Sequence, residues 1–324
     1  MMQRRFLPIV AVLTIWSLWA TGVVGLDLFD KLREGLVMTF TMVFASFVAG
    51  ATSEGGGAIA FPIMTLVLDI EPSIARDFAL MIQSVGMGMA AFFIVVKGIK
   101  VDWQTIGWGL FGASFGLHLG LFVIAPMLSP VMTKLFFVSI WMSFGIILLN
   151  RHDKLSPQGV AQARDPLVMA TLGIAGGAIT GITGCGLDII LFAYTVLGCG
   201  VSPKIATPTS VVMMAVISMM GFLVRGFDTV TPISPDAWTY WWSSVPVVIV
   251  GAPLGAAFIA NRSKNFIIGL LLTSIVAQFV AALVILPLTS GRIAMVCAVL
   301  GLGSWVFHSL HKSADDALPM GSAL

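Results

Sequence analysis

Gly50-Ala51-Thr52-Ser53-Glu54-Gly55-Gly56-Gly57 interrupts an apolar stretch that runs from Leu36 to Leu68. A second stretch, Leu167–Cys199, is interrupted by Gly181-Ile182-Thr183-Gly184-Cys185-Gly186. Each stretch has 33 residues, whereas one membrane crossing needs about 20. Glycine clusters break helices and allow a tight reversal. Each stretch is therefore predicted to form two short helices joined at a glycine-rich tip, either as a re-entrant hairpin or as two thin crossings.

The composition of the whole chain predicts a membrane protein. Of its 324 residues, 58% are hydrophobic and 10% are charged, with a mean hydropathy of +1.02. Soluble domains carry about 25% charged residues, because their surfaces face water. The net charge of +2 is too small to suggest nucleic acid as a partner. Lipid is therefore the expected solvent, and the expected fold class is all-α integral membrane.

Outside the two broken stretches, eight apolar runs are long enough to cross a bilayer: Phe6–Leu26, Ile74–Val96, Trp103–Pro126, Val131–Leu149, Ile205–Val224, Trp238–Ala260, Phe266–Leu286 and Arg292–His308. They suggest an N-terminal helix (residues 1–35), a first repeat (36–149), a cytoplasmic linker (150–166), a second repeat (167–286) and a C-terminal helix with a tail (287–324). Arg4 and Arg5 before the first run also fit a signal sequence or signal anchor, but the run is longer than a usual signal core. A retained helix is the favoured interpretation.

An internal duplication explains why the two breaks correspond. A shift of 131 positions gives eleven identities over forty positions, including Gly50 on Gly181, Thr52 on Thr183 and Pro72 on Pro203. If each broken stretch returns to the side it entered from, eleven of the 17 Lys and Arg residues fall on the cytoplasmic side, as the positive-inside rule favours. A single long crossing leaves only eight there. The prediction is two inverted-topology repeats, each a glycine-broken helix pair plus three transmembrane helices, with extra helices at both termini.

Paired breaks in inverted halves mark the expected substrate site. A helix that starts after a glycine-rich tip presents free N–H groups and the positive end of its dipole, which suits an anion. The glycines could instead serve only close helix packing. The candidate substrate-binding residues lie at the two tips and on the helices that follow them: Thr52, Ser53, Gly55, Gly56, Gly57, Gln83, Ser84, Thr183, Gly184, Cys185, Gly186, Thr207, Thr209 and Ser210.

Two ionisable residues lie at the tips, where charge is costly and functional roles are common. Glu54 and Asp188 could carry a coupling proton, or could cap the short helix that follows each of them. Arg76 and Asp77 are expected to pair with each other near the membrane interface. Metal and nucleotide motifs are absent from the sequence, so neither a cofactor nor an enzymatic activity is expected. Gly112-Ala113-Ser114-Phe115-Gly116 has the spacing of a nucleophile elbow, which leaves an intramembrane hydrolase at Ser114 as a weaker alternative.

The stretch Glu54–Pro62 with the Ala75–Gly88 helix resembles the first half of the sulfite exporter TauE/SafE family. The run from Gly181 to Ser210, with its Thr-Gly-x-Gly tip and Ala-Thr-Pro-Thr-Ser helix start, is similar to the second half. The likeness covers roughly Leu36 to Leu286. It implies a transporter of small anions, including sulfite and organosulfonates, built as two pseudo-symmetric bundles without an ATPase domain. The second tip departs from the first, with Leu187 and Asp188 in place of Gly56 and Gly57.

The sequence thus predicts a secondary transporter that moves a small sulfur-containing or carboxylate anion by alternating access. Its expected partners are that anion, the lipid bilayer and a coupling ion, either a proton or sodium. The expected location is the inner (cytoplasmic) cell membrane, multi-pass, with the N-terminus in the cytoplasm. A channel-like pore for ions or water is the alternative from another functional class.

Overall fold

The computed structural model describes residues 3–52, 55–151, 165–259 and 262–316. Within these ranges the chain forms helices and no strand. The helices are α1 Gln3–Gly25, α2 Phe29–Glu34, α3 Leu36–Ala51, α4 Gly55–Pro62, α5 Pro72–Lys97, α6 Trp103–Leu119, α7 Pro130–Arg151, α8 Pro166–Thr183, α9 Leu187–Ala193, α10 Pro203–Gly226, α11 Pro235–Ile259, α12 Lys264–Ile285 and α13 Ser290–Asp316. Wider π-helical turns extend three of them, at Ile63–Val67, Gly120–Ile124 and Tyr194–Gly198.

The described residues contain nine helices long and apolar enough to cross a membrane. Eight of them coincide with the eight spans predicted from sequence, with ends that differ by a few residues. The ninth is α8, which has 18 residues. Its counterpart α3 has 16 residues and is too short to cross alone. Both predicted breaks are present, one between α3 and α4 and the other between α8 and α9.

Local sequence explains where several helices begin. Proline occupies the first position of α5, α8 and α10, where its missing N–H costs nothing. Asp165 caps α8 by accepting the Leu167 N–H at 2.8 Å, and Ser263 caps α12 by accepting the Phe266 N–H at 3.3 Å. These caps satisfy N–H groups that have no partner within the helix.

Small residues bring two pairs of helices into close contact. Gly112, Gly116 and Gly120 of α6 lie against backbone carbonyls of α8, and a Cβ at any of them would overlap those oxygens. On α3, a Cβ at Gly50 would likewise overlap the Ala252 carbonyl group of α11. Small residues at every fourth position permit such close approach between membrane helices. Close helix packing is the alternative role for the glycines. The glycine that precedes the first tip, Gly50, does have this role.

The contacts also give the helix directions. Gly35 lies against Ser243 and Gly50 against Ala252, so α3 runs parallel to α11. By the same comparison, α8 runs parallel to α6, because Gly173 meets Gly109 and Gly181 meets Leu117. The α3–α4 pair starts beside the beginning of α11. The chain that follows this pair returns to the same end of α11, where it lines a cavity together with Ser234.

The second broken pair follows the same course from another starting point. It starts beside the first half of α6, and its continuation into α10 meets the start of α6, where Thr209 accepts the Asp102 N–H. These courses favour re-entrant hairpins over thin crossings. The inverted duplication itself stays a prediction, which the helix directions support.

The terminal helices pack outside this framework. Helix α1 rests on α5 and α11, and two of its indole N–H groups bind α11 carbonyls: Trp16 to Pro246 at 3.0 Å and Trp19 to Trp242 at 2.7 Å. Helix α13 packs along α7. The N-terminal apolar run is therefore a helix with specific contacts to the bundle.

Candidate functional site

The second broken pair turns at Gly184 and Gly186, between α8 and α9. Gly184 has φ +86° and Gly186 has φ +146°, conformations that residues with a side chain rarely adopt. A Cβ at Gly184 would also lie 2.6 Å from the Ala79 Cβ and 2.8 Å from the Arg76 carbonyl oxygen. Glycine is therefore required here both by the backbone and by the close approach of α5.

The Asp188 carboxyl group lies at the start of α9. Its side chain is buried, and its Oδ1 accepts the N–H of Gly186 at 3.1 Å and of Ile189 at 3.0 Å. The Leu187 N–H donates to Thr180 Oγ1 at 3.0 Å. The positive end of α9 thus already holds an acceptor from its own first turn, which is the capping geometry. The Asp188 Oδ2 has no hydrogen-bond partner.

The two tips meet across one face of α5. A Cβ built on Gly57, in the first turn of α4, would lie 3.3 Å from the Cys185 Cβ of the second tip. The same Cβ would lie 3.1 Å from the Ala79 Cβ and 2.7 Å from Gln83 Nε2. We call this place, formed by Gly57, Ala79, Gln83, Gly184 and Cys185, the tip junction. Residues from both broken pairs are thus in contact there, and α5 lies beside them.

Gln83 ties α5 to the second tip. Its Nε2 donates to the Gly184 carbonyl oxygen at 2.8 Å and to the Ala79 carbonyl oxygen at 3.0 Å. Because both partners are acceptors, the amide nitrogen must face them. The Oε1 is then left without a partner, on a side chain that is only 1% exposed. Such an orphan costs about 1–3 kcal/mol, so the junction is a place where a ligand or water would be stabilised.

The threonines at the tips already bond to the backbone. Thr52 donates to the Val48 carbonyl oxygen at 3.0 Å. The Thr183 hydroxyl lies 2.9 Å from the Ile179 carbonyl oxygen and 2.8 Å from that of Cys185. Each hydroxyl would have to leave a carbonyl before donating to an anion. Ser53 and Glu54 lie outside the described residues, and Gly56 belongs to the described backbone of α4.

The hydroxyl residues predicted on α10 have separate surroundings. Thr207 Oγ1 is buried without a partner, and Thr207 lines a cavity together with Gly50, just before the first tip. Ser210 donates to the Thr207 carbonyl oxygen at 2.8 Å. Thr209 donates to the Ile205 carbonyl oxygen at 2.7 Å and accepts from Asp102, which joins α10 to the start of α6.

Ser84 faces a third region. It donates to the Met81 carbonyl oxygen at 2.7 Å and lines an apolar groove beside α1, with Trp241 and Val245 of α11. Of the predicted residues, Gly57, Gln83, Gly184 and Cys185 come together at the junction, whereas Ser84 and Thr209 take part in other contacts.

A cavity of about 390 Å³ opens at the end of the bundle where α5 begins. It is lined by the first turns of α5, the end of α6, the start of α7, the α10–α11 region and Ile182 before the second tip. Two buried arginines, Arg76 and Arg225, are part of its wall. We call it the arginine cavity.

A smaller cavity of about 90 Å³ lies at the opposite ends of α5 and α10, and we call it the threonine cavity after Thr207. The 131-position shift superposes most of its lining on that of the arginine cavity. The pairs are Ser73 and Lys204, Arg76 and Thr207, Asp77 and Pro208, Pro72 and Pro203, Ala125 and Ala256, Leu128 and Ile259, and Ile94 and Arg225. The 131-position shift therefore relates two cavities as well as two tips.

An ionic cluster in the arginine cavity joins the two halves. Arg225 of α10 donates through Nε to Asp77 Oδ1 at 3.0 Å and through Nη2 to Asp77 Oδ2 at 2.9 Å. Its Nη1 binds Asp228 and Thr231. Arg76 also pairs with Asp77 Oδ1, through Nε at 3.0 Å and Nη2 at 2.9 Å. Arg76 and Asp77 therefore do pair, as predicted, but within a larger cluster.

Sequence reasoning missed Arg225. The repeat gave no signal for it, because the shift places Arg225 over the apolar Ile94. In the α10–α11 loop, the hydrogen bonds from the Thr231 side chain and backbone, together with the Arg225 charge, lower the pKa of Asp228 from 3.8 to about 2. The loop is thus held to α10 by an ionised carboxylate.

The Ser114 alternative finds no catalytic partner in the described residues. Ser114 Oγ donates to the Phe111 carbonyl oxygen at 2.7 Å. His118, one turn later, contacts the Ser114 carbonyl oxygen rather than its hydroxyl. Activation of a serine needs a base within hydrogen-bond reach of its hydroxyl. Nor does the described part of the chain contain a group of three or more His, Cys, Asp or Glu placed to hold a metal.

Comparison with protein families gives one match. The family described as sulfite exporter TauE/SafE matches residues 38–282 of the 324, a range that contains both tips and both cavities. No curated protein and no solved structure gives a significant match to the chain.

Proposed function

The chain belongs to the sulfite exporter TauE/SafE family, a family of membrane transporters, and from that premise we propose that it moves a small sulfur-containing or carboxylate anion by alternating access. The observation that carries this proposal is the contact between Gly57 and Cys185, which brings the two broken pairs together at one buried place. Broken helices that meet inside a transporter are typical of substrate sites. The inner cell membrane, with a cytoplasmic N-terminus, is the proposed location.

Asp188 suggests where the anion binds. Its carboxyl oxygen occupies the positive end of α9, and the 131-position shift places Gly57 at the corresponding residue of α4. Gly57 therefore provides no side-chain acceptor at the position that Asp188 occupies in the second tip. We place the substrate anion there, held by backbone N–H groups of Gly55 to Gly57 beside Gln83, in the position that the carboxyl group fills at the other tip.

The orphan oxygen of Gln83 refines the substrate class. Backbone N–H groups donate to an anion, whereas Gln83 Oε1 can only accept. An oxyanion that also carries a hydroxyl or acid proton, such as hydrogen sulfite, would satisfy both kinds of group. Thr52, Ser53 and Thr183 would adjust around it, and Gly184 and Gly186 would keep the second tip in place.

Alternating access is supported by the two cavities. They lie at opposite ends of α5 and α10, their linings correspond by the repeat, and one is about 390 Å³ while the other is about 90 Å³. Corresponding cavities at opposite ends of an inverted-repeat transporter are suited to alternating access. In the proposed cycle the threonine cavity widens as the arginine cavity narrows.

We propose a proton as the coupling ion and Asp188 as its carrier. The carboxyl group is 1% exposed, its Oδ2 has no partner, and none of the described ion pairs includes it. Buried carboxyl groups of this kind serve proton relays in other transporters. Asp188→Asn keeps an oxygen for the Gly186 N–H, so it should preserve anion binding while removing the pH dependence of transport. An unchanged pH profile would leave Asp188 as a cap alone.

A thermal-shift screen of the purified protein tests the anion site. Sulfite, sulfate, thiosulfate, sulfonates and small carboxylates are compared, and a specific ligand raises the melting temperature by mass action. Gln83→Met, which installs the residue found at the corresponding position 214, should reduce the shift by removing the contribution of the junction. Ser84→Ala, one residue away but facing the α1 groove, is the matched control and should retain it. If no anion shifts the wild type, the proposed site is wrong.

Flux into proteoliposomes separates transporter from pore. Uptake that saturates with anion concentration and follows a proton gradient supports the transporter. Flux that rises without saturation supports the channel-like alternative. Ser114→Ala should leave saturable uptake unchanged. Loss of uptake in this variant would support the hydrolase hypothesis instead.

A further inference from the structure

We propose that the arginine cavity contains a second oxyanion site, centred on Arg76 and the first turn of α5. The inference rests on the proposed function, because the ligand is the same class of small oxyanion that the tip junction would carry. The site would hold the anion before it reaches the junction.

Arg76 does not use all of its hydrogen-bond donors. Its Nε and Nη2 both bind a single oxygen, Asp77 Oδ1, and its Nη1 makes no hydrogen bond within the described residues. The residue is 9% exposed and its side chain lines the cavity. A guanidinium group with an unused pair of N–H groups beside an open cavity is suited to an oxyanion.

The start of α5 adds further donors. Its N-cap residue, Glu71, makes no side-chain capping hydrogen bond, so the first N–H groups of the helix, at Ser73 and Ile74, have no partner within the helix. The Ser73 hydroxyl makes no hydrogen bond to another described residue. Ser73 and Ile74 both line the arginine cavity, where the positive end of the α5 dipole favours negative charge.

The other charged groups in this wall are already committed or lie at its rim. Arg225 uses Nε, Nη1 and Nη2 on Asp77, Asp228 and Thr231, so its role is to fix Asp77. Glu71 is exposed at the edge of the cavity. Its carboxylate is the group with which an anion would compete for the donors in this wall. Arg76 is therefore the residue of the cluster that can take a new partner without releasing an old one.

The site has a direct structural link to the tip junction. The Arg76 carbonyl oxygen lies against Gly184, and Ile182, two residues before Gly184, lines the cavity. The residue that would bind the anion thus contacts the second tip directly through its backbone. The threonine cavity lacks this arrangement, because Thr207 replaces Arg76 and the Ser202 side chain caps α10 by accepting the Lys204 N–H at 3.4 Å.

Sided transport of sulfite tests the inference. In proteoliposomes with uniformly oriented protein, Arg76→Gln should raise the half-saturating sulfite concentration about tenfold or more for entry from the arginine-cavity side, because a charge-assisted hydrogen bond is lost. Entry from the threonine-cavity side should change less than twofold. Ser73→Ala should give a smaller effect with the same sidedness, and Arg76→Lys, which keeps the charge beside Asp77, serves if Arg76→Gln fails to fold.

Two results would overturn the second site. One is an equal change from both sides, and the other is no change from either side while the wild type transports sulfite. The proposed function fails in a different way, since the wild type itself would then show no saturable sulfite flux. Titration of sulfite into Gln83→Met provides a readout independent of transport, because this variant should keep the Arg76 site and lose the junction. Absence of any sulfite binding to this folded variant would count against the Arg76 site.

Discussion

The arginine cavity and the threonine cavity occupy corresponding positions in the two halves but differ in chemistry. At one end Arg76, Asp77 and Arg225 line a cavity of about 390 Å³. At the other end the corresponding residues are Thr207, Pro208 and Ile94, around about 90 Å³. The 131-position shift thus relates the places of the two linings, whereas their side chains differ. The wall is ionic at the first end, whereas at the other end most of the lining residues are apolar.

Removal of the shared carboxylate is expected to have the largest effect on this difference. Asp77→Ala leaves Arg76 and Arg225 buried without their common partner, and breaking a buried ion pair in this way costs about 3–5 kcal/mol. The melting temperature in detergent should fall strongly. The control is Pro208→Ala at the corresponding position of α10, where no ion pair exists and the change should stay within about 1 kcal/mol. Equal losses in the two variants would contradict the structural role of the cluster.

The two tips offer a second comparison, with a smaller expected effect on stability. Gly184→Ala forces an alanine to φ +86° and against Ala79, so the free energy of unfolding should fall by about 1–3 kcal/mol. Gly57→Ala meets Gln83 Nε2 and the Ala79 Cβ but has no positive φ to strain, so it should cost less. Its methyl group, however, would enter the proposed anion position, so the anion-dependent thermal shift should be reduced. A Gly57→Ala protein that binds anion normally would place the substrate elsewhere.

These comparisons also show which features of the structure can be predicted from the sequence. Hydropathy located the spans, because a bilayer imposes a length on apolar helices, and the glycine clusters located both breaks. The 131-position shift suggested equivalent half-sites, yet Asp188 caps its own helix where the first tip has Gly57. Sequence identity could not show that difference in geometry, nor that Ser84 faces the α1 groove while Gln83, its neighbour, faces the junction.

Long-range ion pairs were the least accessible feature. Arg225 lies 148 positions from Asp77, and their contact depends on α10 running beside α5. The repeat placed Ile94 at the position of Arg225, so the internal comparison suggested an apolar residue there. Only the packed arrangement of the two helices reveals the cluster.

Acid should loosen the α10–α11 loop at the arginine end, and this is the smallest of the expected effects. The pKa of Asp228 is lowered from 3.8 to about 2, so its ionised form stabilises the folded α10–α11 loop. This contribution is complete above about pH 4 and is lost as the pH falls through about 2. Asp228→Asn should remove the part of acid destabilisation in this window. Hydrogen exchange of residues 227–234 measures it, and identical exchange profiles for wild type and variant would contradict the expectation.

Cross-linking across the tip junction tests most directly whether the two broken pairs meet. In a Cys199→Ser, Cys297→Ser background, Gly57→Cys places a thiol whose Cβ lies 3.3 Å from the Cys185 Cβ, close to the usual separation of about 3.8 Å in disulfides. Mild oxidation should join these two positions, while Gly88→Cys, the control, should stay unlinked. Thiols that never join would contradict the meeting of the two broken pairs at the junction.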